Sequence, residues 1–200
     1  ASIEVELFDG EAASFSRIQV LNGANALAMR ARNGQWEIAQ FETAEEIAPG
    51  HWRFSCLLRG QLGTGDAAGA GADIGASVVL LDGAVVSAGL KPGEAGLSLN
   101  WRAGPASEDF SSETMVTQSA TGGVRALLPL SPVHLKCRRA SSGDLELNWV
   151  RRSRIDADDW NAAEVPLGEE SERYQVEILN AGGTVVRRGG GANPPRGYCR

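Results

Sequence analysis

Aromatic residues are scarce, 12 against 25 glycines in 200 positions, and that balance predicts many turns joining short elements. Cysteine is scarcer still. Cys56, Cys137 and Cys199 are odd in number, far apart and outside any C-x-x-C unit. A dense disulfide framework is therefore excluded, and free, buried thiols are expected. No run approaches the ~18 to 20 unbroken apolar residues that a membrane-spanning helix needs, so a spanning segment is excluded. The opening ASIEVELFDG has neither a basic start nor an apolar stretch, so it does not read as a signal peptide. It also lacks Met, and the sequence stops at Tyr198-Cys199-Arg200, the pattern expected of a piece of a longer polypeptide.

What is present is globular. Hydrophobic residues make up 42% and charged residues 22%, which excludes wholesale disorder. The net charge of -6 and a pI near 5.0 argue against generic phosphate binding. Arg138-Arg139 and Arg151-Arg152-x-Arg154 are basic, yet an acidic stretch from Asp156 to Glu172 follows, and the clusters lack the aromatic interleaving of single-strand binders. No nucleic-acid or membrane partner is expected.

Period-2 alternation dominates and predicts strands. Val5 and Leu7 alternate with Glu4 and Glu6, Trp36 to Phe41 reads as a strand, and Trp52 to Leu58 reads as one continuous strand beside it. Pro49-Gly50 supplies a turn, and Glu42 to Ala48 is the one candidate helix. SVVLLDGAVV (77–86) predicts a hairpin through Asp82-Gly83. The Gly/Ala-rich segment 63–76 predicts a loop running into a strand, and Leu97, Leu99 and Trp101 alternate beyond it. Met115-Val116 is a seed for a further short strand.

A domain boundary is expected near Leu130, where Pro129 and Pro132 flank Ser131 in a stiff, extended linker. Charge shifts there too: residues 1–130 hold 8 bases and 15 acids, residues 131–200 hold 11 and 10. Strands are predicted at 133–139, 145–152, 173–179 and 184–188, with a partial fifth in 194–200. This spacing predicts a sandwich of immunoglobulin type. The fold class is all-β.

Motifs for chemistry are thin. His51 and His134 are isolated from each other and from the cysteines, so no metal site is expected. A calcium loop counted from Asp156 would need glycine sixth and an acid twelfth, where Asn161 and Leu167 stand. A solvated acidic loop, paired with Arg151, Arg152 and Arg154, is the expectation. The glycines at 63, 65, 69, 71 and 75 match no phosphate-binding pattern, and no G-x-S-x-G occurs. No cofactor and no catalytic residue is assigned.

Cys56-Leu57-Leu58-Arg59-Gly60-Gln61-Leu62-Gly63-Thr64, followed by Gly75-Ala76-Ser77-Val78-Val79-Leu80-Leu81-Asp82, resembles the tail-tip and baseplate hub proteins of long-tailed bacteriophages. Asn25-Ala26-Leu27 and the strand Glu37 to Phe41 are similar to that family as well. Pro129 to Leu135, Leu147 to Asp156 and Val165 to Glu170 resemble the C-terminal part of the large baseplate, or host-specificity, protein of alphaproteobacterial gene transfer agents. The resemblance covers most of the chain. It implies a hub-type β-domain over 1–130 with an L-L-R-G-x-x-G-T motif. A fibronectin type III-like module, incomplete at its end, is implied over 131–200, with Trp149 as its core tryptophan. The family's glycosidase-like barrel has no counterpart here, so the resemblance implies a structural, non-enzymatic part of a phage-like tail tip.

The implied partners are other tail or baseplate hub proteins and further copies of the chain within a particle assembled from cytoplasmic subunits, and the parent polypeptide is expected to continue past Arg200. The rival expectation is a carbohydrate-binding module meeting host-surface glycans, for which Trp36, Trp52, Trp101, Trp149 and Trp160 are the stacking candidates. Two residues are singled out for interaction or sugar contact. Trp160 lies in the acidic loop, and Arg59 is expected to anchor a strand corner through a carboxylate or carbonyl, with Gly60 or Gly63 at positive φ.

Overall fold

A computed structural model describes residues 1–156, 161, 165–191 and 197–199. The chain divides into two compact units, Ala1–Ala126 and Leu127–Arg200. Both are built almost wholly of antiparallel strands, so the protein is all-β.

The first unit opens with β1 (Ser2–Glu6) and a one-turn helix α1 (Arg17–Leu21), which Ser16 and Gln19 close with a reciprocal capping box. Then follow β2 (Ala26–Arg30), β3 (Trp36–Gln40), β4 (Thr43–Ala48), β5 (His51–Ser55) and β6 (Leu58–Gln61). A short helix α2 (Gly65–Ala70) leads on to β7 (Val78–Leu80). Two sheets result, with strand orders β1-β5-β4 and β6-β3-β2-β7.

Their apolar faces make the core. Leu27, Met29 and Ala39 from one sheet meet Trp52 and Phe54 from the other, with Phe41 at the crossing between them. The Phe41 and Phe54 rings stack with centroids 4.0 Å apart and planes within 4°. Burial at this seam is the main stabilising term, because each large side chain sealed there contributes about 1.5–3 kcal/mol.

Four expectations are corrected in this unit. The run from Trp52 to Leu58 is two strands: Cys56 takes φ 55°, a left-handed conformation that turns the chain out of one sheet and into the other. The candidate helix at Glu42 to Ala48 is strand β4, because the Pro49-Gly50 turn folds it back on β5, Thr43 opposite Ser55 and Glu45 opposite Arg53. The segment 77–86 forms no hairpin. Its strand β7 pairs instead with β2, and Asp82 closes a local turn, its Oδ1 accepting from the Ala84 N–H at 2.9 Å. The expected loop over 63–76 contains α2, since Ala67, Ala68 and Ala70 are strong helix formers once Thr64 opens the turn.

Beyond β7, β8 (Ser98–Ala103) pairs with β9 (Val116–Thr121) as a two-stranded ribbon. The second unit holds β10 (Val133–Arg139), β11 (Leu145–Val150), β12 (Tyr174–Leu179), β13 (Val185–Gly191) and β14 (Gly197–Cys199). They form sheets β10-β11-β14 and β12-β13. Trp149 of β11 meets Tyr174 of β12 edge to face, centroids 5.0 Å apart. Its indole Nε1 is buried without a hydrogen-bond partner among the described residues.

Candidate functional site

The L-L-R-G-x-x-G-T motif builds a corner at the end of β6. Glu37, on the neighbouring β3, is fully buried. Both its oxygens accept from Arg59, one from Nε and the other from Nη2. The Gly60 N–H adds a third bond to Oε1 at 3.1 Å, and Arg59 Nη2 also reaches the Ala68 carbonyl at 3.4 Å. The paired carboxylate raises the Arg59 pKa, chiefly by hydrogen bonding. A buried carboxylate is tolerable only with this degree of compensation.

Gly60, Gly63 and Thr64 each have a task in the same turn. Gly60 sits at φ 64°, and a Cβ there would lie 3.2 Å from the Gly65 Cα, so the backbone packs too closely for a side chain. Gly63 turns at φ 82°. The Thr64 hydroxyl donates to the Gln61 carbonyl at 2.7 Å and accepts from the Ile38 N–H at 3.0 Å, tying the start of α2 to β3. Asp66 then pairs with Arg125 through two bonds of 2.6 and 2.9 Å, and Arg125 also donates to the Gly63 carbonyl and Gln35. That contact lowers the Asp66 pKa to about 2.

Chemically, the corner positions chain segments. Glu37 is sealed from solvent with both oxygens occupied, which leaves it no open face for proton exchange with a substrate. Arg59 has the carboxylate and the carbonyl contact expected of it, so its guanidinium is committed inside the fold. Sequence reasoning missed Glu37, Asp66 and Arg125. The signal for Glu37 was an acid within the apolar strand WEIAQ, directly across from the motif.

The remaining candidates are scattered. Trp160 lies outside the described residues, as do Asp158 and Asp159 of the acidic loop. Trp52 is buried in the core, Trp101 and Trp149 are half-buried, and Trp36 lies at the surface with the Arg30 guanidinium 5.5 Å from its ring centroid. His51 and His134 are exposed on β5 and β10. Cys56 and Cys137 are free but exposed, not buried as expected: Cys56 sits at the left-handed break, and Cys137 lies on an edge strand. The Cys199 side chain lies outside the described residues. Among the described residues no three His, Cys, Asp or Glu side chains are grouped to hold a metal ion.

In the second unit, Pro129, Pro132, Arg151, Glu172 and Tyr174 line an open cleft of about 60 Å³, well below the several hundred Å³ of ordinary ligand pockets. Arg151 is held there by Glu172 at 3.3 Å and by the carbonyls of Val165 and Pro166. Arg152 Nε also donates to the Ser131 carbonyl at 2.8 Å, and Arg154 donates to the Leu128 carbonyl at 3.3 Å.

Apolar exposure is the more conspicuous surface feature. Phe8 is 96% exposed, Val86 83% and Phe110 70%, and Ile18, Leu62 and Ile74 are also open to solvent. Among the described residues no helix is long and apolar enough to cross a membrane.

Residues 1–79 match the model of a protein family described as Rcc01698-like, C-terminal. The matched segment runs from β1 almost to the end of β7, so it takes in both sheets of the core and the whole Glu37–Arg59 corner. No curated protein matches the chain.

Proposed function

We propose that this chain is a non-enzymatic structural part of a phage-like tail tip or baseplate, of the gene-transfer-agent kind, that works by docking on neighbouring hub proteins. The observation that carries the reading is the number of large apolar side chains left in solvent around a well-ordered strand framework. Large apolar side chains exposed in this number supply the anchors that protein–protein contacts bury. The family match over residues 1–79 and the motif resemblance across both halves support the same assignment. On this reading the Glu37–Arg59 corner holds strands β3 and β6 of one sheet and the helix α2 in fixed register, so that the outer faces present a rigid docking shape.

Deleting residues 1–130 from the parent protein tests it. Particles then lack a completed tail tip by electron microscopy, and intact, infective-form particles would overturn the assignment. A glycan array in which binding vanishes with Trp160→Ala would favour the sugar-reading alternative instead.

A further inference from the structure

Two strands at sheet edges carry opposite charge. β1 lies at the edge of β1-β5-β4, and β10 at the edge of β10-β11-β14. The Leu7 N–H donates to the Gly50 carbonyl at 2.9 Å, so by strand parity the N–H and C=O groups of Glu4 and Glu6 face away from β5. On β10 the Ala140 N–H donates to the Asp144 carbonyl at 2.8 Å, and the same parity turns the backbone groups of Cys137 and Arg139 outward.

The side chains match as well. Along β1, Ile3 and Val5 pack on the core while Glu4 and Glu6 face solvent. Along β10, Lys136 and Arg138 share one face, and Leu135, 70% exposed, lies with Cys137 on the other. Set side by side in parallel, these strands would bring Glu4 against Lys136 and Glu6 against Arg138, and continue the apolar row of Ile3 and Val5 with Leu135 and Cys137. Opposite-charge pairs across neighbouring strands are favourable, and like charges there are not.

We propose that β1 of one copy of this chain adds to the β10 edge of a second copy, extending both sheets by strand addition. The two surfaces differ, so the contact is head-to-tail and generates a ring or an open filament. Two acidic β1 edges would repel each other, as would two basic β10 edges, which excludes a two-fold dimer through either strand alone. This inference deepens the docking reading by naming a partner and a surface, and it rests on that reading only for its setting.

Glu6→Lys and Lys136→Glu test it, since neither residue belongs to an ion pair of the fold among the described residues. By sedimentation velocity, the wild-type chain forms species heavier than 21.1 kDa that grow with concentration and dissociate at high salt. Each single variant, with an unchanged melting curve, shifts at least tenfold toward monomer. An equimolar mixture of the two restores association as a one-to-one pair, because the unaltered β1 of the Lys136→Glu variant then meets the unaltered β10 of the Glu6→Lys variant. A wild-type chain that stays monomeric up to its solubility limit overturns the proposal, and so does a mixture no more associated than its components. Normal dependence of tail-tip assembly on residues 1–130 alongside a monomeric chain would remove this contact and leave the docking function standing.

Discussion

Among the described residues, positions 20–67 contain every apolar side chain that is nearly sealed from solvent, from Val20 to Ala67, and none from 68 onward reaches that burial. Both regions have regular antiparallel ladders. What differs is whether two apolar faces meet. In the first region β2, β3 and β5 press Leu27, Ala39 and Phe54 together. The β8–β9 ribbon presents β9 entirely to solvent, and an isolated pair of strands is only marginally stable in water. Ladder hydrogen bonds and a dry core are thus separable, and this chain carries one of them without the other over much of its length. The docking function proposed above gives the second region what it lacks, a surface supplied by a neighbour.

The sharpest way to break that contrast is to compare truncations in the two regions. Phe54→Ala removes a ring with no exposure, stacked on Phe41, and is expected to cost about 3–5 kcal/mol. Leu135→Ala, at a side chain 70% exposed, stays within about 0.5 kcal/mol. Urea titrations of the two variants, followed by tryptophan fluorescence, measure both. Equal losses would mean that the second region holds a core of its own.

Charge pairs sharpen the same comparison at a smaller scale. Arg59→Met leaves the buried Glu37 carboxylate without its guanidinium and is expected to destabilise the first unit by about 3 kcal/mol, the low end for a broken buried pair, because the Arg59 side chain is itself one-third exposed. Arg138→Met breaks the pair with Glu146 on β11, where the arginine is 76% exposed, so at most about 1 kcal/mol is lost. Thermal melts of both variants beside the parent chain report the difference. A comparable shift in the two would show that burial, the variable separating the regions, does not set the strength of their ion pairs.

Strand alternation was legible in both regions, because period-2 patterning depends on side chains i and i+2 alone. Ser2–Glu6, Trp36–Gln40, Ser98–Ala103 and Tyr174–Leu179 all lie where alternation predicts them. Sheet membership was not legible. The break at Cys56 depends on a left-handed φ that cysteine seldom adopts, so nothing in the pattern Trp52 to Leu58 announces it. Likewise β7 prefers β2 to a local hairpin partner because Val78 and Leu80 pack against the core there, a gain that local turn chemistry does not register. At the corner, Arg59, Gly60 and Gly63 could be read as an anchor and a turn. The carboxylate that Arg59 holds comes from 22 residues earlier, and no local spacing rule reaches that far.

The smallest expected effect concerns acid. Asp66 pairs with Arg125 at the surface of the first unit, and that hydrogen bond lowers its pKa from 3.8 to about 2. A carboxyl whose folded pKa lies below its unfolded one stabilises the folded state fully above the unfolded value, and loses that contribution as pH falls through the folded value. The stabilisation from Asp66 is therefore constant at neutral pH and declines between 3.8 and about 2. Asp66→Asn removes this part of the acid slope. The variant's urea midpoint accordingly lies below that of the parent at pH 6, and the gap narrows as pH approaches 2. Added salt shrinks the gap at pH 6, because the Asp66 side chain is 56% exposed and solvent-facing pairs are screened. An unchanging gap across this range would mean that Asp66 acts through the backbone of α2 rather than through Arg125, and that surface pairing in the well-packed region is as weak as in the open one.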